Sequence, residues 1–133
     1  MKTTLGHIGI NLSSAGEPFA FWKDLLTFLD FHIEADGDEH FDAGDGHSSL
    51  CVQVTKPDHQ QPPFHRGRTG LNHVAFRLGS AVLVDAFTRG FLRRRGIVLL
   101  YGGPRKYPEY APGYYAVYFE DPDRIKIEVY AEG

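Results

Sequence analysis

Two histidines occupy matching places in two copies of one short segment. His7 lies in Leu5-Gly6-His7-Ile8-Gly9-Ile10-Asn11-Leu12, and His73 lies 66 positions later in Leu71-Asn72-His73-Val74-Ala75-Phe76-Arg77-Leu78. Each copy reads as an apolar strand, Leu5–Leu12 and Leu71–Leu78, with one imidazole on it. A second pair ends each half of the chain. Leu50-Cys51-Val52-Gln53-Val54 matches Ile125-Lys126-Ile127-Glu128-Val129, which sets Gln53 against Glu128. Two neutral imidazoles and one carboxylate suit a divalent first-row metal with positions left open for water or substrate. His7, His73 and Glu128 are therefore candidate ligands. Gln53, a weaker neutral donor, either completes the set or stands just outside it against the substrate. A carboxylate between Ile127 and Val129 is costly to bury without a cation, and a metal would supply one.

Such a site needs two equivalent strands brought to one place. A repeat at half the length of a 133-residue chain indicates a duplication. Units of roughly 60 residues are marginal alone, so the two are expected to share a core. The expectation is one domain over residues 1–133, with module one at about 1–56, a linker at 57–70 and module two at 71–133. In module one, Ser13 to Pro18 reads as a helix start, and Phe19 to Phe31 carries apolar residues at helical spacing. Phe21, Trp22 and Phe28 are expected in the core. Strands follow at Phe31–Glu34, His40–Asp42 and Ser48–Thr55, separated by the turns Asp36-Gly37-Asp38 and Gly44-Asp45-Gly46. Module two repeats the order: a helix at Val82–Arg95 stopped by a left-handed Gly96, then strands Ile97–Tyr101, Tyr114–Glu120 and Ile125–Tyr130. The stretch Gly102 to Gly113 reads as a long loop. Its Arg105, Lys106 and Tyr107, with Tyr114 and Tyr115 behind, can wrap a small anionic or oxygen-rich substrate.

Composition narrows the function. A formal net charge of −3 disfavours a nucleic-acid surface, and Arg93-Arg94-Arg95 is a short basic run at a helix end. No apolar run approaches membrane-spanning length. The one cysteine, Cys51, forms no intrachain disulfide and fits a cytoplasmic location, as does an N-terminus without an apolar leader.

The chain resembles the vicinal oxygen chelate superfamily, which includes glyoxalase I, extradiol dioxygenases, fosfomycin-resistance enzymes and bleomycin-binding proteins. The resemblance spans essentially the whole chain. It is carried by Gly6-His7-Ile8-Gly9-Ile10, by Leu71-Asn72-His73-Val74-Ala75-Phe76 and, most specifically, by Phe119-Glu120-Asp121-Pro122-Asp123-Arg124-Ile125-Lys126-Ile127-Glu128. Arg124 stands where the family usually has glycine. The resemblance implies an α+β fold of two tandem βαβββ modules forming a curved mixed sheet around a metal-binding cavity. It implies His7, His73 and Glu128 as ligands of a divalent metal (Fe, Mn, Zn or Ni), and a homodimer. It implies a small-molecule substrate bound through vicinal oxygens; the residue types of Gln53, Arg105, Lys106 and Tyr107 make them the candidate substrate contacts. In a glyoxalase-like lyase or isomerase, Glu128 would be the base; in a ring-cleaving dioxygenase, Tyr114, Tyr115 or Tyr118 would stand near the metal. A fosfomycin-type thiol transferase and a non-catalytic, bleomycin-resistance-type binder are the alternatives. Gln53 replaces the carboxylate usual in glyoxalase I.

Overall fold

In the first half of the chain, period-two alternation sorts each strand into a dry and a wet face. The computed structural model describes all 133 residues and divides them into two units, Met1–Pro63 and Phe64–Gly133. Unit one contains β1 (His7–Leu12), α1 (Glu17–Phe28), β2 (His32–Glu34), β3 (His40–Gly44) and β4 (Ser49–Val54). Its sheet runs β1-β4-β3-β2, with β1 parallel to β4 and the other pairs antiparallel. The strand pairing places Ile10, Leu12, Leu50, Val52, Phe41 and Ala43 on one face, and all are buried. Phe19, Trp22, Leu25 and Leu26 of α1 are buried too, and the Phe19 ring meets Phe41 edge-on at 5.2 Å.

The helix is shorter than its apolar spacing suggests. It ends at Phe28 because Asp30 turns left-handed (φ 63°) and Phe31 N–H returns to the Leu26 carbonyl at 2.8 Å. Trp22 is fully buried as expected, but Phe28 is 47% exposed and Phe21 only half-buried. Phe28 falls on the last turn, past the reach of the sheet's dry face.

Unit two contains β5 (Val74–Arg77), α2 (Ala81–Phe87), β6 (Leu99–Lys106), β7 (Tyr114–Glu120) and β8 (Lys126–Glu132). The order β5-β8-β7-β6 repeats unit one, again with the first pair parallel. The Ser80 hydroxyl caps α2 by accepting from Leu83 N–H. The helix then widens into a π-helical segment, Thr88–Arg93, and the chain leaves it through Gly96 at φ 67°. Val84, Phe87, Phe91 and Leu92 are buried with Phe76, Val117, Phe119, Ile127 and Val129 of the sheet, and the Phe87 and Phe119 rings lie 5.7 Å apart. The architecture is thus α+β with two repeated βαβββ modules, each holding its own four-stranded mixed sheet. No helix is long and apolar enough to cross a membrane.

The expected loop from Gly102 to Gly113 is half strand. β6 runs on to Lys106 across a register shift between Leu100 and Arg105, where Tyr101, Gly102 and Gly103 all take positive φ. A Gly-Gly pair signals a turn in sequence, but the same conformational freedom serves a bulge inside a strand. The paired histidine strands also start later than read, at His7 and Val74, so His73 sits one residue ahead of β5.

Candidate functional site

The open face of unit two's sheet is defined by register. Glu128 on β8 pairs with Ala75 on β5 and with Tyr118 on β7, so these three share one face. Alternation adds Lys126 and Tyr130 from β8, and Tyr114, Ala116 and Glu120 from β7. Glu128 is 3% exposed, although it is an acid. Its Oε1 lies 3.3 Å from His73 Nε2, and its Oε2 accepts a hydrogen bond from the Tyr114 hydroxyl. His73 Nδ1 lies 2.7 Å from Asn72 Oδ1. With Nδ1–H donating to that oxygen, Nε2 is the ring nitrogen turned to Glu128.

Tyrosines wall this carboxylate. Tyr114 stacks on Tyr130 at 4.9 Å and meets Tyr110 edge-on at 5.3 Å. Tyr107 stacks on Tyr110 and meets Tyr118 edge-on. Burial, and then Glu128 itself, push the Tyr114 and Tyr118 phenols well above their ordinary range. Both stay protonated and act as hydrogen-bond donors. The Tyr107 hydroxyl is buried and makes no hydrogen bond.

The structure therefore brings together His73, Glu128 and Tyr114, and parts Tyr115 from them. The Tyr115 side chain lies on the helical side, where its hydroxyl donates to Asp85 of α2 at 2.7 Å. Lys106 pairs with Tyr115 in the β6–β7 ladder and so belongs to that side as well. Arg105 lies over the Tyr107 ring at 4.1 Å. Sequence reasoning passed over Asn72, Lys126, Glu120 and Tyr130. Period two, read outward from Glu128, would have found Lys126 and Tyr130; Glu120 needs the β7–β8 register.

In unit one, His7 is the exposed first residue of β1, paired with Ser49. Gln53 is exposed on β4, opposite Asn11 and His40. The register corrects one equivalence. His7 and His73 correspond, and two residues on, Gly9 pairs with Cys51 while Ala75 pairs with Glu128. Cys51, and not Gln53, stands where Glu128 stands. Its neighbour is Asp42, which accepts from the thiol and, ahead of burial, pushes its pKa up. Such a thiol is a poor nucleophile. Asp42 Oδ1 in turn lies 3.0 Å from His40 Nε2.

A divalent metal can be tested against these donors. Metal–nitrogen and metal–oxygen bonds of about 2.0–2.2 Å place two adjacent ligands on the order of 3 Å apart. His73 Nε2 and Glu128 Oε1 meet that spacing, and the Asn72 contact is the outer hydrogen bond that a ligating imidazole needs. Within neither unit do three His, Cys, Asp or Glu side chains gather as a complete set.

The same fold recurs in known proteins. No protein-family profile matches the sequence. The uncharacterized protein YqjT of Bacillus subtilis is 40% identical over 125 residues, covering 94% of this chain and 96% of that one. A crystal structure from Bacillus halodurans, described as a candidate glyoxalase, superposes with a TM-score of 0.84 at 38% identity, over 96% of this chain and 94% of the other. Lactoylglutathione lyase of Agrobacterium tumefaciens shares the fold, with a TM-score of 0.70 at 18% identity over 98% of this chain and 94% of the lyase. The chain belongs to the vicinal oxygen chelate superfamily of glyoxalase, bleomycin-resistance and dioxygenase proteins.

Proposed function

We propose that the chain is a divalent-metal-dependent enzyme that binds a small substrate through two adjacent oxygens, as a glyoxalase-like lyase or isomerase or a ring-cleaving dioxygenase. The observation that carries this reading is the buried Glu128 carboxylate facing an oriented imidazole at 3.3 Å. The proposed ligands are His73, Glu128 and His7, for an ion of the Fe, Mn, Zn or Ni class. Bound there, the metal supplies Lewis-acid stabilisation of negative charge on substrate oxygens.

The protein's own groups do the rest. Asn72 fixes the His73 tautomer. Tyr114 holds Glu128 Oε2 and leaves Oε1 free, either as a ligand atom or as the base that takes a proton from carbon beside a carbonyl. Tyr118, buried beside Glu128, donates toward bound oxygen. Tyr115 is left out of the catalytic set because Asp85 holds its hydroxyl. Gln53, Arg105 and Tyr107 are proposed substrate contacts, and Lys106 is not. The two units are proposed to act as one domain, in a cytoplasmic homodimer.

A second reading is ligand binding without turnover. Its support is that Tyr114 already donates to Glu128 Oε2 and the His73 ring stands 3.3 Å from Oε1. Metal content separates the two. The enzyme reading expects about one divalent ion per chain by elemental analysis, and its loss in His73→Ala. A folded protein that takes up none of Fe(II), Mn(II), Zn(II) or Ni(II) overturns it. A panel of hemithioacetals, catechols and fosfomycin then assigns the reaction branch.

A further inference from the structure

The same open face changes character toward the start of β8. A cavity of about 120 Å³ there is lined by Phe64, His65, Arg66 and Arg124. Arg66 Nη1 pairs with Glu120 Oε2, and Arg124 Nε approaches that same oxygen at 3.5 Å. Lys126 is in register with Glu120, and its ammonium lies 4.9 Å from the Tyr101 ring and 4.8 Å from the Tyr118 ring. Two guanidinium groups thus share one carboxylate, with the Lys126 ammonium beside them, in a chain whose net charge is −3. The surplus is felt locally: Lys126, and after it Arg66, pull the Tyr101 phenol below its ordinary range against the effect of burial. The guanidinium forks keep N–H groups beyond those turned to Glu120, and the Arg124 side chain is 73% exposed.

The backbone adds an independent observation. Arg124 holds φ 66°, a conformation natural to glycine and strained for arginine. The turn closes without help from its side chain. Arg124 N–H donates to the Asp121 carbonyl, and Asp121 Oδ1 accepts from the N–H groups of Asp123 and Ile125. The guanidinium is therefore not needed to close the turn, and its one printed partner is Glu120.

We propose that the substrate is an anion whose carboxylate or phosphate group is held by Arg66 and Arg124, with its oxygen pair beside Glu128. This rests on the chelating role proposed above for His73 and Glu128. Lys126 and Glu128 are two residues apart on one strand face, roughly 7 Å. The anionic group therefore lies at about that distance or more from the chelated oxygens, with the Tyr118 ring against the stretch between. Oxyanion recognition by an arginine pair is directional and charge-assisted.

Arg124→Gly is the informative variant, because its backbone already suits glycine and the fold should hold. The first arm titrates metal-free protein by calorimetry with inorganic phosphate and separately with benzoate, which distinguishes the two oxyanions. Saturable binding of one, about tenfold weaker in Arg124→Gly at unchanged Tm, is the expected result. The second arm compares catechol with a carboxylated catechol on metal-loaded protein. The carboxylated form should bind about tenfold tighter, and the difference should close in Arg124→Gly. Equal anion affinity in both proteins, or no saturation in the wild type, overturns the proposal. Anion binding that depends on Arg124 in a protein that takes up no metal upholds the cleft and removes the chelating role alone.

Discussion

Units one and two carry the same strand order, β1-β4-β3-β2 and β5-β8-β7-β6, yet they set different groups at the same node of the sheet. In unit two that node is Glu128, with Tyr118 across the antiparallel ladder. In unit one it is Cys51, with Asp42 across. Duplication preserved the apolar face that each helix covers, because every residue there is constrained by packing. The opposite face is not covered by the helix, and there the two copies differ. One became a buried carboxylate set among tyrosines and a histidine. The other became a thiol held neutral by an aspartate. The repeated scaffold therefore carries a buried carboxylate at this node in unit two and a thiol beside an aspartate in unit one.

That contrast can be broken most directly at the acid. Glu128→Gln and His73→Ala should each take metal content from about one ion per chain to none, while Gln53→Ala should leave it near the wild-type level, by elemental analysis after dialysis. Loss of metal in Gln53→Ala alone would move the site's weight to unit one. The next largest effect is expected at Tyr114. Tyr114→Phe leaves Glu128 Oε2 without its donor, and metal affinity should fall about tenfold in a competition titration.

Tyr115→Phe sharpens the comparison from the other face. It removes the bond to Asp85, so stability should drop by about 1 kcal/mol in denaturant unfolding with metal affinity unchanged. The smallest effect lies in unit one's turn. Asp45 Oδ1 accepts from the N–H groups of Ser48 and His47, each at 2.8 Å, and these bonds hold its carboxyl below the ordinary value of 3.8. A pKa depressed on folding stabilises above the unfolded value and ceases to do so as pH falls through the folded one. Asp45→Asn should therefore lower Tm slightly at neutral pH, and the gap to wild type should vanish in strong acid.

Much of this was legible in the sequence. Alternation over Ser49–Val54 marked the dry face, Gly96 marked the helix stop, and the two histidines marked the repeat. The equivalence of Gln53 and Glu128 was misread for a physical reason. Strand side chains alternate with period two, so sliding one copy by two residues keeps every residue on its proper face. Apolar pattern cannot detect such a slip, and only the hydrogen-bonded ladder reveals it. Tyr114 and Tyr115 posed the opposite case. Adjacent on β7, they must point to opposite faces, but which one met the acid depended on which face the helix took.

The order of residues by itself determined two βαβββ modules, their apolar faces, and the three chemically capable side chains His7, His73 and Glu128, because those follow from local periodicity and from residue type. Tertiary structure alone decided that Cys51 matches Glu128, that Tyr114 meets the carboxylate while Tyr115 meets Asp85, and that Arg66 joins Arg124 around Glu120. Those facts depend on strand register and on contacts between residues distant in the chain, which side-chain alternation leaves undetermined.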